Sequence, residues 1–515
     1  MKQYFFRAEA VNLWPTVYDT SDISTIRGGG FYLLDRVRSL AQDSDFNKDV
    51  ITEGASTAVF EIESDDPADI RNKMLTYLYD GKNGIREMMF LVEYIENQGE
   101  FPELMAKLQG KIRVAQMQTP SIRIFPETLK PESGTNPETG KPWTYDFLNR
   151  TLPAYKQDKL KGPISGFTYS RREQGKTLRK KIYERLLRDQ DVSVQDYGFT
   201  DELDELCNDP KQGNLNGKIA FIYIDGNKFG KLQRNFSPDE LKRYDALLDG
   251  FKKRLLAGII NLAREDKSFM KDNKIRLETL LWGGDEIKLI VPAWMGWKAA
   301  LRFYEVADEM NMKMGEKELT YAMGLVFAHH KNPIRNVSEI AEDMAQTVKD
   351  GLSSDQAYQR SHGNQVHYAV LESLETLPKG YGQFAKDFYL AAPRELSLSP
   401  NEMRGLRDFA KSLDAGFSRS KIYSVAQAWV SGSDKEDKED KEDKEGKKNK
   451  EYAEALQRGL DVCEISAKKK EKLVHEIEMI TGTAFDENKN VLESKPEKGY
   501  RWLQIAELWD YLLSL

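Results

Sequence analysis

Cysteine is nearly absent: Cys207 and Cys463 stand alone in 515 residues, far apart and in no ligand spacing. A disulfide framework and a cysteine-based zinc site are both excluded. No stretch approaches the ~18 uninterrupted apolar residues that cross a bilayer. The opening MKQYFFRAEA lacks the apolar run and small-residue cleavage site of a signal peptide. No membrane role is expected, and the class implied is a soluble cytoplasmic protein. An overall excess of positive charge is also missing. The net charge is −7, so any polynucleotide contact must be a local patch. One candidate patch is Arg171, Arg172, Lys176, Arg179, Lys180, Lys181 and Arg185 on a predicted helix, and a solvated helix face accounts for it better.

Apolar residues make up 40 % of the chain, ample for globular folding, and the length implies roughly three or four domains. The fold class expected is α+β. Residues 1–125 read as βαββαβ. The strand KQYFFRAE precedes a three-glycine polar loop and an amphipathic helix (TSDISTIRGGGFYLLDRVRSLAQ). DVITEG and STAVFEIE follow as short strands, then a helix from Pro67 to Tyr79 and the strand MMFLVEYI. That order predicts a ferredoxin-like sandwich. Residues 126–210 form a connector without zinc ligands, loop-rich to about Pro163 and then basic and helical.

Residues 211–376 repeat βαββαβ more clearly. KIAFIYID (218–225) is a near-continuous apolar run, as in a central strand covered on both faces. A helix from Pro238 to about Arg264 has Ser237 or Asn235 as its cap. IRLETLLW and EIKLIVP flank Gly283–Gly284, a two-residue hairpin signal. A helix over Ala293–Met314, the strand LTYAMGLVFAH, a helix from Val337 to Leu352 and the strand VHYAVLES complete the unit. Residues 377–515 read as a helical domain carrying Trp502 and Trp509, interrupted by the charge run 434–450, a solvated or disordered insert.

In such a unit the first two strands are parallel and the third runs between them. Asp225 ends the first strand, while Asp285 and Glu286 open the third, so the carboxylates meet at one edge, on strands only ~4.8 Å apart. Carboxylates that close repel unless a cation sits between them. Mg²⁺ or Mn²⁺ suits this setting, accepting one or two protein carboxylates and completing its shell with water and phosphates. The following GNKFGKLQRN supplies backbone amides for an anion at Gly226 and Gly230, with Lys228 and Lys231 adding charge. Lys349 is a further phosphate contact. These parts describe phosphoryl transfer by positioning and electrostatics. The pair His329–His330 reads as structural, because neighbours on a strand point to opposite faces.

IYIDGNKFGKL, LLWGGDEIKLIV and GLVFAHHKNPIRNVSEIAEDMAQTVKD together resemble the palm of the GGDEF and CRISPR polymerase–cyclase superfamily. More specifically they resemble the large subunit of type III CRISPR effector complexes, the Csm/Cmr polymerase subunit. DISTIRGGGFYLLD resembles that subunit's first palm, which lacks catalytic acids, and the matching hairpin here reads EGAS. The resemblance covers about residues 1–372. It implies two palms paired within the chain, ATP or other NTPs at their junction, and synthesis of cyclic oligoadenylate messengers in antiviral defence. By carry-over Asp225, Asp285 and Glu286 hold the metals with the Gly226 carbonyl assisting, and Gly283 and Gly284 shape the triphosphate site. Asn227, Lys228, Phe229, Gly230, Lys231 and Lys349 complete the nucleotide contacts.

Two departures stand out: Asn227 where Asp is common, and GGDE in place of GGDD. The first weakens the case for a second tightly held ion. No histidine–aspartate nuclease domain precedes the first palm, so DNA cleavage is not expected. Without the family's zinc cysteines, two arrangements stay open: a member of a crRNA-guided complex with partner subunits and target RNA, or a minimal standalone relative. A homodimer is compatible with both. The alternative function is a catalytically silent nucleotide-binding scaffold of a CRISPR ribonucleoprotein. A diguanylate cyclase is disfavoured, since Gly230 and Gln233–Arg234 replace its guanine-reading residues.

Overall fold

The computed structural model describes residues 1–47, 50–54, 56–79, 85–123, 154–158, 162–372, 380–433 and 441–514. The chain is mixed α and β. Its first sheet runs, edge to edge, Val50–Glu53, Thr57–Ser64, Lys2–Val11, Met89–Glu96, with every neighbouring pair antiparallel. The second sheet is ordered Glu278–Trp282, Glu286–Pro292, Lys218–Gly226, Tyr321–His329, Gln365–Leu371, antiparallel except for the last pair. The Glu286 strand therefore lies between the Glu278 and Lys218 strands, the order read from the sequence.

Apolar runs such as Ile219–Ile224 are buried because both faces of the second sheet are covered. Helices Pro238–Glu265 and Ala293–Glu309 pack together, and Ile334–Asp350 lies on the Lys218 and Tyr321 strands. Ser237 caps the long helix in a reciprocal box with Glu240. One continuous apolar core links both sheets and the C-terminal helices, from Phe6 to Leu512.

The three-glycine segment is a correction. Rather than a loop, Gly28, Gly29 and Gly30 lie inside the helix Ile23–Gln42. That helix crosses Gly166–Leu186 at van der Waals range: a Cβ on Gly28 would stand 1.7 Å from the Arg171 carbonyl oxygen. One on Gly175 would stand 2.2 Å from that of Ser24. The basic helix is accordingly divided: Lys176, Lys180 and Lys181 form the expected solvated face, while its arginines turn inward. Arg171 and Arg179 are buried, and Arg179 joins Arg27 on the buried Glu278 of the second sheet. Arg171 pairs with Asp19 and Arg185 with Asp35. Buried charges persist only when paired in this way, and here they form the seam between the two halves.

Smaller corrections concern element ends. The predicted helix Ala293–Met314 stops at Glu309, where Asn311 adopts a left-handed φ of 47° and Lys313–Met314 pairs with Lys317–Glu318. Within the connector, Ala154–Asp158 pairs with Gly162–Ser165, while 126–153 lies outside the described residues. His329 and His330 are not splayed to opposite faces. The strand ends at His329, so their rings lie 4.4 Å apart, and His330 Nδ1 meets the Gly217 carbonyl at 2.9 Å.

Beyond the second sheet, helices Pro400–Asp414, Arg419–Ser433, Lys441–Asp461, Ala467–Thr481 and Tyr500–Leu513 pack against one another, with Trp502 buried among them. Its ring stacks on Phe417, and its indole N–H donates to the Tyr452 hydroxyl at 3.0 Å. Of the charge run, 434–440 lies outside the described residues. Among the described residues no helix is long and apolar enough to cross a membrane.

Candidate active site

The edge where Asp225 meets Glu286 is set by register. The two residues are direct antiparallel partners, so their side chains share a face, as do the next partners on that face, Tyr223 and Lys288. Asp285 precedes the strand, and its carbonyl accepts the Gly226 N–H at 3.1 Å. The hairpin closes with the Gly283 N–H donating to the Glu286 carbonyl at 2.8 Å. A Cβ on Gly283 would lie 2.6 Å from that same oxygen, so only glycine fits. Gly284 faces open space.

The electrostatics are those of crowded acids with internal counter-ions. Burial, reinforced by the Asp225 charge, raises the Asp285 pKa. Burial also raises Glu286, with Asp225 adding to the rise and Lys288 opposing it. Lys349 forms an ion pair with Asp225 Oδ2, the oxygen that also accepts the Tyr223 hydroxyl at 3.3 Å. Lys288 is buried, 2.7 Å from Glu342 and 4.0 Å from Glu286, with its ammonium over the rings of Tyr18 and Tyr223. Burial and the Glu286 and Glu342 charges raise the Tyr18 phenol. Among the described residues no three Asp, Glu, His or Cys side chains are gathered closely enough to hold an ion. The donor chemistry, hard carboxylate oxygens in a half-buried acidic cluster, nonetheless suits Mg²⁺ or Mn²⁺. In this arrangement Lys349 and Lys288 supply the neutralising charge.

The loop after Asp225 is anchored to the protein body. Asn227 is buried, and its amide donates to Thr320 Oγ1 at 2.8 Å and to the Gly363 carbonyl at 2.7 Å. Lys228 has a left-handed φ of 56° and reaches the Leu352 carbonyl at 3.5 Å, while Lys231 reaches Ser354 at 3.5 Å. The Phe229 ring is buried edge-on against Tyr244 and Tyr321. It sits so close to Gly226 that a Cβ there would lie 2.5 Å from it.

A cavity of about 580 Å³ opens between the two halves. Gly230 and the hairpin Gly283, Gly284, Asp285 and Glu286 line it from one side. Tyr18, Thr52 and Gly54 line it from the other, together with Ser56 and Thr57. The first half's hairpin thus faces the second's across the space. Sequence reasoning missed Tyr18, Lys288 and Glu342. Period-two counting from Glu286 flags Lys288, whereas nothing local signals the other two.

No protein-family model matches this chain. No curated protein matches it either. Solved structures do. Csm1 of T. onnurineus superposes with a TM-score of 0.52 at 12 % identity, over 99 % of this chain and 69 % of Csm1. This chain is built on the Csm1 fold. The apo Csm1–Csm4 cassette gives 0.51 at 14 % identity over 99 % of this chain and 70 % of that one. The cassette in complex with cA4 gives 0.51 at 12 %, over 100 % and 70 %. Csm1 is the large subunit of type III CRISPR complexes, so the resemblance carried by the motifs and the fold of the whole described chain coincide.

Proposed function

We propose that this chain is a metal-dependent nucleotidyltransferase of the type III CRISPR kind, joining ATP into cyclic oligonucleotides between two ferredoxin-like palms. The observation that carries it is the register pairing of Asp225 with Glu286 beside Asp285, at the wall of a cavity shared by both halves. The solved Csm1–Csm4 cassettes in complex with pppApApA and with cA4, which share this fold, support the reading.

Asp225, Asp285 and Glu286 would hold Mg²⁺ or Mn²⁺, which when bound neutralises phosphate charge and makes an attacking hydroxyl acidic. The protein's own groups do the rest. Gly283 and Gly284 leave the hairpin backbone bare, so a polyphosphate approaches its amides without side-chain obstruction. Gly230 keeps the adjacent loop after Asp225 equally open. Lys349, now on Asp225, is the cation placed to meet a phosphate oxygen once that carboxylate is otherwise engaged. Asn227 holds the loop at its base, tying Asp225 to the neighbouring Thr320 segment. Incubation with each of the four NTPs, with and without RNA, followed by mass spectrometry of the products, tests the proposal. An Asp285→Ala protein that makes as much product as wild type defeats it.

A second reading has an observation of its own. The Lys349–Asp225 pair, with no three acids gathered among the described residues, suits a scaffold that holds nucleotides without turning them over. That reading predicts nucleotide-dependent thermal stabilisation and no product, even with target RNA and partner subunits present.

A further inference from the structure

The end of the helix Ile334–Asp350 lies between the acidic residue Asp225 and a second cavity. Lys349, in its last turn, reaches Asp225, while Thr347, Val348 and Gly351 from the same turn wall a second cavity of about 550 Å³. Its other walls are the strand residues Gln365 and His367, the segment around Gln356 and His362, and residues of the C-terminal region such as Glu402 and Arg501. Its size is that of small-molecule sites in general. Its lining is polar and charged, unlike an ordinary packing defect, which is apolar and stays dry.

The charges are unevenly committed. Glu395 accepts the Ala392 N–H at 2.6 Å, closing the cap of its own short helix. Glu402 caps its helix through Ser399 and accepts the buried Arg501 at 3.1 Å. Arg394 and Lys498, exposed residues of the cavity wall, have no carboxylate within ion-pairing distance among the described residues. Glu497 is the remaining uncommitted acid, beside Lys498. A guest that satisfies these groups carries oxyanions for Arg394 and Lys498, and hydroxyl or amine donors for Glu497, Gln365 and Ser397.

We propose that this second cavity, distinct from the acidic cleft, binds a phosphorylated small molecule of nucleotide size, its phosphate held by Arg394 and Lys498. The test is isothermal titration of the full chain with AMP, and separately with pyrophosphate, in EDTA, where the bare carboxylates of the acidic cleft repel both. Saturable AMP binding below about 1 mM is expected. Arg394→Gln/Lys498→Gln, both on exposed positions, should weaken it by about tenfold or more, the loss of charge-assisted contacts. Asp285→Ala should bind as wild type does. Pyrophosphate matching AMP assigns recognition to the phosphate, and AMP alone binding assigns part of it to the nucleoside. Either result upholds the site. Absence of saturable binding, an unchanged double variant, or loss of binding in Asp285→Ala overturns it. Because the readout is binding without divalent ions, failure here leaves the nucleotidyltransferase reading standing, and the reverse also holds.

Discussion

Lys349 reaches across from the last turn of its helix to the carboxylate of Asp225, and the two are ion-paired at the end of the second sheet's central strand. A cation supplied by the protein thus stands beside the acid that the proposed chemistry assigns to a divalent ion. Lys288 stands in the same relation to Glu286, at 4.0 Å.

If Lys349 is the internal counter-ion, Lys349→Met leaves Asp225, Asp285 and Glu286 under-neutralised. The metal-free protein should lose about 1 kcal/mol, the upper end for a partly exposed pair. Stabilisation by Mn²⁺ should grow correspondingly, since the carboxylates no longer have a built-in competitor. Thermal melts in EDTA and in Mn²⁺ check both. An equal Mn²⁺ effect in the two proteins contradicts the role.

The hairpin acid should matter to chemistry far more than to folding. Asp285→Ala is expected to lower product formation from ATP by about a hundredfold or more, as removal of a charge-stabilising group does. Its metal-free melting temperature should hold or rise, because burial and Asp225 both disfavour the Asp285 carboxylate. Product assays and melts on the same preparation separate the two effects.

Asp245 carries a pH signature. Burial, with Glu53 and Asp249 adding repulsion against Lys252, raises its pKa from 3.8 to about 7. Its carboxyl also accepts the Thr52 hydroxyl from the first sheet. A carboxyl with a raised folded pKa binds more protons folded than unfolded. Its contribution is therefore lost as pH climbs from about 4 through about 7. Asp245→Asn should gain stability relative to wild type across that window, most at the alkaline end. Melts at pH 5 and pH 8 that shift equally in both proteins refute it.

The crossing at Gly28 should tolerate nothing larger. Gly28→Ala places a methyl 1.7 Å from the Arg171 carbonyl oxygen, forcing the helices apart at a cost of about 3 kcal/mol. Gly110→Ala, in the helix Phe101–Met117 with nothing within 4 Å, should instead stabilise by about 0.5–1 kcal/mol. Denaturant melts of the two variants should diverge in sign.

Much of the fold was legible. The near-continuous apolar runs and the Gly-Gly signal located the central strands and brought Asp225 to the same end as Asp285 and Glu286, because apolar runs and tight turns are local properties. Element ends were less legible: the helix from Ala293 stops at Glu309 through a left-handed Asn311, which no apolar pattern announces. The glycine run was misread as a loop because glycine signals turns far more often than helix crossings. The arginines of the basic helix were misread because their partners, Glu278 and Asp19, lie roughly a hundred or more residues away.

By itself the sequence determined which residues stand at the two strand tips, since a strand's faces and a hairpin's turn are decided by neighbours a few positions apart. Only the tertiary structure decided which cations accompany those acids, that two halves enclose one cavity, and that arginines are spent on the seam. Those outcomes depend on burial and on Coulomb pairing between segments joined by nothing but the packed core.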